Sequence, residues 1–127
     1  MSERSILLID DDANIRRTLA LILQRAGYQV STARQACEAI SYLETHHVDL
    51  VFLDLKMPDV DGMSLLPKIH FLWSKMPVLV LTAQPTPEAE AEARQLGAVS
   101  YLTKPVDPES LLKTVQEILG ETPTLQY

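Results

Sequence analysis

Residues 49–62 read DLVFLDLKMPDVDG. The opening apolar run is too short for a helix and too continuously hydrophobic for a half-exposed strand, so it reads as a strand covered on both faces. It delivers an aspartate, Asp54, at its carboxyl end. Met57 and Pro58, then Asp59 to Gly62, supply turn chemistry. From Met63 to about Leu72 the spacing becomes helical, with Leu65, Leu66, Ile69 and Leu72 on one side. Pro67 is awkward there: it is tolerated near a helix start and elsewhere implies a local kink. Strand, turn and amphipathic helix together make one unit of a parallel α/β sheet.

The same alternation runs outward in both directions. Upstream, residues 5–9 form another buried strand, and Ile15, Leu19, Ile22, Leu23 and Ala26 mark a helix stopped by Gly27. Residues 28–33 alternate as a strand, followed by a helix through Ala36, Ala39, Ile40 and Leu43. Downstream, residues 78–81 give a fourth strand, and Pro87 begins an Ala/Glu-rich helix that Gly97 ends. Residues 100–102 form a short fifth strand. Asp107 as N-cap and Pro108 at the first helical position then open a last helix, carrying Leu111, Leu112, Val115, Ile118 and Leu119 up to Gly120. Five such repeats with short loops predict a doubly wound, five-stranded parallel sheet in the order 2-1-3-4-5. Its binding crevice lies beyond the carboxyl ends of the first and third strands. Residues 1–120 form the domain; residues 121–127, unpatterned and containing Pro123, read as a linker or tail.

Composition narrows the function classes. The 127 residues suit one domain, and 46% hydrophobic with 22% charged residues is a globular balance. One cysteine, Cys37, excludes an internal disulfide framework and suits a reducing cytosol. Apolar runs such as residues 6–9 and 78–81 fall far short of the roughly 20 residues that span a bilayer. A net charge of −6 argues against direct contact between this domain and nucleic acid. A cytoplasmic location follows as the expectation.

The chemistry collects at one edge. Asp10, Asp11 and Asp12 follow the first strand, Asp54 the third, Thr82 ends the fourth and Lys104 lies just past the fifth. Several carboxylates at close quarters raise one another's pKa values or bind a cation. Carboxylate oxygens with carbonyl and water ligands suit Mg2+, whereas Cys37, His46, His47 and His70 have no convergent placement for zinc. A divalent metal, a carboxylate and an ammonium group form a phosphoryl-binding site in which Asp54 is the nucleophile and Thr82 donates a hydroxyl hydrogen bond. The product is an acyl phosphate, a labile and therefore timed signal.

Each of these residues also has a plainer reading. An aspartate after a strand is commonly a turn residue, and Asp12 has the position of a helix cap. Asp59 and Asp61 read as turn residues, the histidines as surface groups, and Glu88, Glu90 and Glu92 as a solvated face. Phe71, Leu72 and Trp73 cannot all point inward from one helix.

ILLIDDD, LVFLDLKMPDVDG, VLVLTA and SYLTKPVD resemble, at matching spacing, the four signature segments of response regulator receiver domains, which have a flavodoxin-like fold. The resemblance extends from Ser5 to Leu119. It implies Asp54 as phosphoacceptor, and Asp11 and Asp54 as direct Mg2+ ligands, with Asp10 holding a metal-bound water. The Lys56 backbone carbonyl would complete the protein ligands. Asp10 and Asp11 form the acidic pair in preference to Asp11 and Asp12, because Ile15 and Arg16 then align without a gap. Thr82 would be the switch hydroxyl, Lys104 the phosphate-binding lysine and Tyr101 the aromatic switch residue. The Lys104–Pro105 bond is expected to be cis. Lys56 and Gln84 fall on variable positions that tune phosphoryl lifetime.

The implied function is a signalling switch with self-phosphorylation and autodephosphorylation chemistry only, not a turnover enzyme. Its partners are a sensor histidine kinase and an output domain C-terminal to residue 127. That output would be DNA-binding, with an ATPase in addition favoured by resemblance of the DDD start and the TKPVD segment. A phosphorylation-dependent dimer is also admitted. A stand-alone regulator would dock through Phe71 to Trp73 or the Tyr101 face. The competing reading is a haloacid-dehalogenase-type phosphatase using Asp10 and Asp12, which leaves Asp54 without a role. A flavodoxin-type nucleotide binder is disfavoured by three aspartates where a phosphate loop would lie.

Overall fold

The computed structural model describes residues 4–56 and 61–120; the expected turn at Met57, Pro58 and Asp59 and the expected tail lie outside them. Five strands alternate with five helices: β1 (Ser5–Ile9), α1 (Ala13–Arg25), β2 (Gln29–Ala33), α2 (Ala36–Thr45), β3 (Leu50–Asp54), α3 (Gly62–Leu72), β4 (Val78–Thr82), α4 (Pro87–Gln95), β5 (Ser100–Thr103) and α5 (Pro108–Leu119). The sheet is parallel throughout, in the order β2-β1-β3-β4-β5. This is the doubly wound α/β architecture the sequence predicts.

Side-chain alternation along the central strands divides the core in two. Leu7, Ile9, Val51, Leu53, Val78 and Val80 point to one face and pack with Ala39 and Leu43 of α2, Leu66 and Ile69 of α3, and Ala93 of α4. Ile6, Leu8, Leu50, Phe52, Leu79 and Leu81 point to the other and meet Leu19 and Leu23 of α1 and Leu111 and Val115 of α5. Each such aliphatic side chain contributes about 1.5–3 kcal/mol when fully buried. Both faces of β1, β3 and β4 are covered, so their carboxyl ends are anchored from both sides.

Four helices begin at side-chain caps: Asp12, Asp61, Thr86 and Asp107 each accept from a first-turn backbone N–H. Boundaries shift slightly from the sequence reading. Strand β3 is Leu50–Asp54, because Asp54 is still in register with Leu81 while the Asp49 side chain caps the start of β1. Strand β2 starts at Gln29, since the Tyr28 N–H turns back to the Leu23 carbonyl. Strand β5 extends to Thr103, paired with Thr82. Pro67 is the sixth residue of α3, well inside the helix, and leaves the Met63 carbonyl without its helical donor. Phe71 and Leu72 are exposed, and Trp73 packs partly against the core.

Candidate functional site

Among the described residues only three polar side chains are buried: Asp10, Asp54 and Thr82, at 2%, 5% and 2% exposure. All three stand at the carboxyl edge of the sheet. Parallel pairing of Ile9 with Leu53 brings Asp10 beside Asp54. Lys104 follows β5, and its backbone N–H donates to the Thr82 carbonyl at 2.8 Å. Its peptide bond to Pro105 is cis, as expected. From there the Lys104 ammonium reaches Asp10 Oδ2 at 2.7 Å and Asp54 Oδ1 at 3.3 Å. Asp10 Oδ1 accepts the Asp12 N–H at 2.9 Å, and Asp54 Oδ1 accepts the Lys56 N–H at 3.2 Å.

Asp11 is exposed, yet one oxygen from each of Asp10, Asp11 and Asp54 lies within 4.8 Å of the others. Asp12 points elsewhere. It caps α1, accepting from Asn14 N–H at 2.8 Å and Ile15 N–H at 3.2 Å. A cavity of about 290 Å³ lies over the site, lined by Asp10, Asp11, Asp54, Lys56, Ala83 and Lys104 among others.

The electrostatics show a surplus of negative charge. Burial, and then the charge of Asp10, push the Asp54 carboxyl up to about 6; Lys104 and the Lys56 N–H oppose the rise without cancelling it. Burial alone would lower the Lys104 pKa, but its hydrogen bond to Asp10 and the charges of Asp10 and Asp54 raise it. One ammonium therefore does not neutralise this site. An all-oxygen donor set of three convergent carboxylates fits Mg2+ well and zinc poorly. The histidines lie elsewhere: His46 stacks on Tyr42, His47 bonds Asp49 at the opposite edge, and His70 is exposed on α3.

Thr82 Oγ1 accepts the Gln84 N–H at 3.2 Å, which leaves its own hydrogen available for a further acceptor. Tyr101 lies on β5 opposite Val80, partly exposed, with its hydroxyl out of solvent and without a hydrogen bond of ordinary geometry. Burial and the nearby Glu90 carboxylate raise its pKa.

Three features escaped the sequence reading. Arg16 Nη1 donates to the Asp10 carbonyl at 2.7 Å. The Lys56 ammonium contacts the Gln84 side-chain oxygen across the mouth of the site. At Gly62 a Cβ would stand 2.6 Å from Leu55 Cα and 2.7 Å from the Asp54 carbonyl oxygen, so only glycine allows α3 to start this close to β3. Of the three, only Gly62 carried a signal, a glycine at a turn-to-helix junction.

The model of the response regulator receiver domain matches residues 6–116. The chain belongs to that family. It is 38% identical over 117 residues to the transcriptional regulatory protein GlrR of Escherichia coli, covering 92% of this chain and 26% of that protein. It is 36% identical to the transcriptional regulatory protein PhoP of the same species, covering 90% of this chain and 51% of the relative. The chain thus spans between a quarter and about half of the length of these relatives. Among solved structures, a CheY-like receiver domain protein from Methanospirillum hungatei superposes with a TM-score of 0.90 at 34% identity, covering 94% of this chain and 95% of the other. The chemotaxis protein CheY4 of Vibrio cholerae gives 0.87 at 33%, covering 92% and 99%. The receiver domain is a phosphorylation-controlled signalling module, and nothing in these comparisons supports the phosphatase alternative.

Proposed function

We propose that this receiver domain takes a phosphoryl group onto Asp54 from the phosphohistidine of a sensor histidine kinase, in a Mg2+-dependent site. The observation that carries this is the Asp54 carboxyl itself: buried, pushed up to about 6, within reach of Lys104 and beside two further carboxylates. Once ionised, the carboxylate is free to attack. An Asp54 oxygen forms a bond to phosphorus, the donor P–N bond breaks, and the leaving imidazole takes up a proton from solvent. Lys104, already 3.3 Å from Asp54, is placed to follow the incoming phosphoryl oxygens. The Thr82 hydroxyl hydrogen supplies a second donor. Asp10, Asp11, Asp54 and the Lys56 backbone carbonyl would hold Mg2+, which neutralises charge on the transferring group when bound.

The readout runs through Thr82 and Tyr101. A phosphoryl group that draws the Thr82 hydroxyl inward frees space toward β5, and the Tyr101 hydroxyl, without a hydrogen bond of ordinary geometry, is free to move into it. That coupling would reshape the α4–β5–α5 face and admits a phosphorylation-dependent dimer. The longer relatives with transcriptional names support a further output domain; in this reading it binds DNA, an ATPase in addition is favoured, and residues 121–127 would be its linker. No helix among the described residues is long and apolar enough to cross a membrane, in keeping with action in the cytoplasm.

The test is direct. Incubation with a small phosphodonor and Mg2+ should give one base-labile, hydroxylamine-sensitive adduct, mapped by mass spectrometry to Asp54 and lost in Asp54→Asn. An adduct of unchanged stoichiometry in that variant would sink the assignment.

A further inference from the structure

We propose that Arg16 is the positioning residue of the metal site, acting through the peptide that joins Asp10 to Asp11. This rests on the reading that Asp10, Asp11 and Asp54 hold Mg2+. The three carboxylates are secured unequally. Asp10 is held by both carboxylate oxygens, by the Asp12 N–H at 2.9 Å and Lys104 at 2.7 Å, and its own N–H is held by the Ala33 carbonyl at 3.1 Å. Asp54 is fixed by its place in β3, by the Lys56 N–H and by Lys104. The Asp11 carboxylate has neither a hydrogen bond nor an ion pair among the described residues, and the side chain is exposed.

Among the described residues Asp11 is restrained through its backbone, on both sides: the Asp12 N–H bond to Asp10 Oδ1 holds the peptide after it, and a bond from Arg16 holds the peptide before it. Arg16 Nη1 donates to the Asp10 carbonyl at 2.7 Å, a short, charge-assisted and partly buried bond from the second turn of α1. A peptide unit is planar, so fixing that carbonyl fixes the plane from which Asp11 departs. The direction in which the Asp11 carboxylate leaves the loop, and hence its convergence with Asp10 and Asp54, follows from the Arg16 bond. This is a supporting contact of the sort that sets ligand geometry at metal centres, where its loss costs about 10–100-fold in affinity.

Charge alone predicts the opposite. Removing a cation near a cation-binding site should tighten Mg2+ binding. Arg17 separates the two effects: it is the next residue on the same helix, is exposed, and among the described residues its guanidinium bonds only Asn14 Oδ1 at 3.3 Å. Arg16→Gln and Arg17→Gln each remove one positive charge, but only the first frees the Asp10 carbonyl.

The experiment is calorimetric titration of the metal-free chain with Mg2+ alone, with thermal melting as the check on folding. Arg16→Gln should bind Mg2+ about tenfold more weakly than wild type. Arg17→Gln should bind as well or slightly better, and Arg16→Lys, which keeps one donor, should fall between. Arg16→Gln within about twofold of Arg17→Gln overturns the proposal. If Arg16→Gln does not fold, Arg16→Lys against Arg17→Gln decides in the same way. Wild type that binds no Mg2+ overturns the metal reading and this role together, whereas wild-type binding that the Arg16 variants leave intact overturns only the role of Arg16.

Discussion

Strand β3 has an aspartate at each end, and the two are opposites. Asp49, just before the strand, accepts the Ser5 N–H at 2.8 Å and pairs with His47 at 2.8 Å and Arg4 at 3.8 Å. Burial alone would raise its pKa, but these partners outweigh burial and hold the carboxyl below its ordinary value. At the other end Asp54 is buried more deeply and faces a second carboxylate, and its pKa rises to about 6. The same residue type five positions along stabilises the fold at one edge and strains it at the other. Placing unrelieved charge at a strand end is costly to a fold, and the cost is tolerated where the charge is used.

The largest expected effect sharpens that contrast by giving the two substitutions opposite signs. Asp49→Ala strips the Ser5 N–H of its side-chain acceptor and should destabilise the protein by about 1–3 kcal/mol. Asp54→Asn removes the charge that repels Asp10 while Lys104 keeps its 2.7 Å bond to Asp10. It should stabilise the metal-free protein at neutral pH. The rise from 3.8 to about 6 caps that gain at about 3 kcal/mol. Urea unfolding of both variants against wild type checks this, and a stability loss in Asp54→Asn would break the comparison.

A smaller effect lies in the pH dependence of the metal-free protein. A carboxyl raised on folding binds more protons in the folded state, so its contribution to stability declines as pH rises from the unfolded value near 3.8 through about 6. Asp49, lowered on folding, contributes stability that is present above 3.8 and is lost as pH falls through its folded value. Wild type should therefore lose stability relative to Asp54→Asn between about pH 4 and pH 7, and level off above that. Mg2+ competes with the same proton, so its affinity should climb over the same interval. A stability difference flat across that range means that folding does not raise the Asp54 pKa.

Much of this was legible in the sequence, for a physical reason. Buried parallel strands must be continuously apolar, so residues 50–53 and 78–81 declare themselves, and the polar residue that ends each run is delivered to the same edge. Asp54 and Thr82 were readable on that ground alone, as were the capping aspartates Asp12 and Asp107. Contacts that need a particular loop conformation were not readable. The Arg16 bond to the Asp10 carbonyl spans six residues and has no periodic signature. The Gly62 approach to the Asp54 carbonyl joins residues eight positions apart and has no periodic signature either. Pro67 shows the limit from the other side: local propensity argues against a helix interior, yet Leu65, Leu66 and Ile69 on either side of it pack into the core and hold the helix together.

The smallest expected effect separates Asp12 from its neighbours. Three consecutive aspartates look interchangeable, but Asp10 and Asp11 turn to Asp54 while Asp12 turns to the first turn of α1. Its work is then that of an N-cap, which a neutral oxygen performs nearly as well. Asp12→Ser should cost a few tenths of a kcal/mol, and Asp12→Ala about 1 kcal/mol. Neither should weaken Mg2+ binding beyond the slight loss expected from one fewer nearby negative charge. Asp11→Asn should do the reverse, leaving the cap untouched and weakening the metal strongly. Thermal melts set beside Mg2+ titrations for the three variants make the comparison. If Asp12→Ser weakens Mg2+ as much as Asp11→Asn does, the cap is not the main role of Asp12, and the acidic pair moves one residue along the chain.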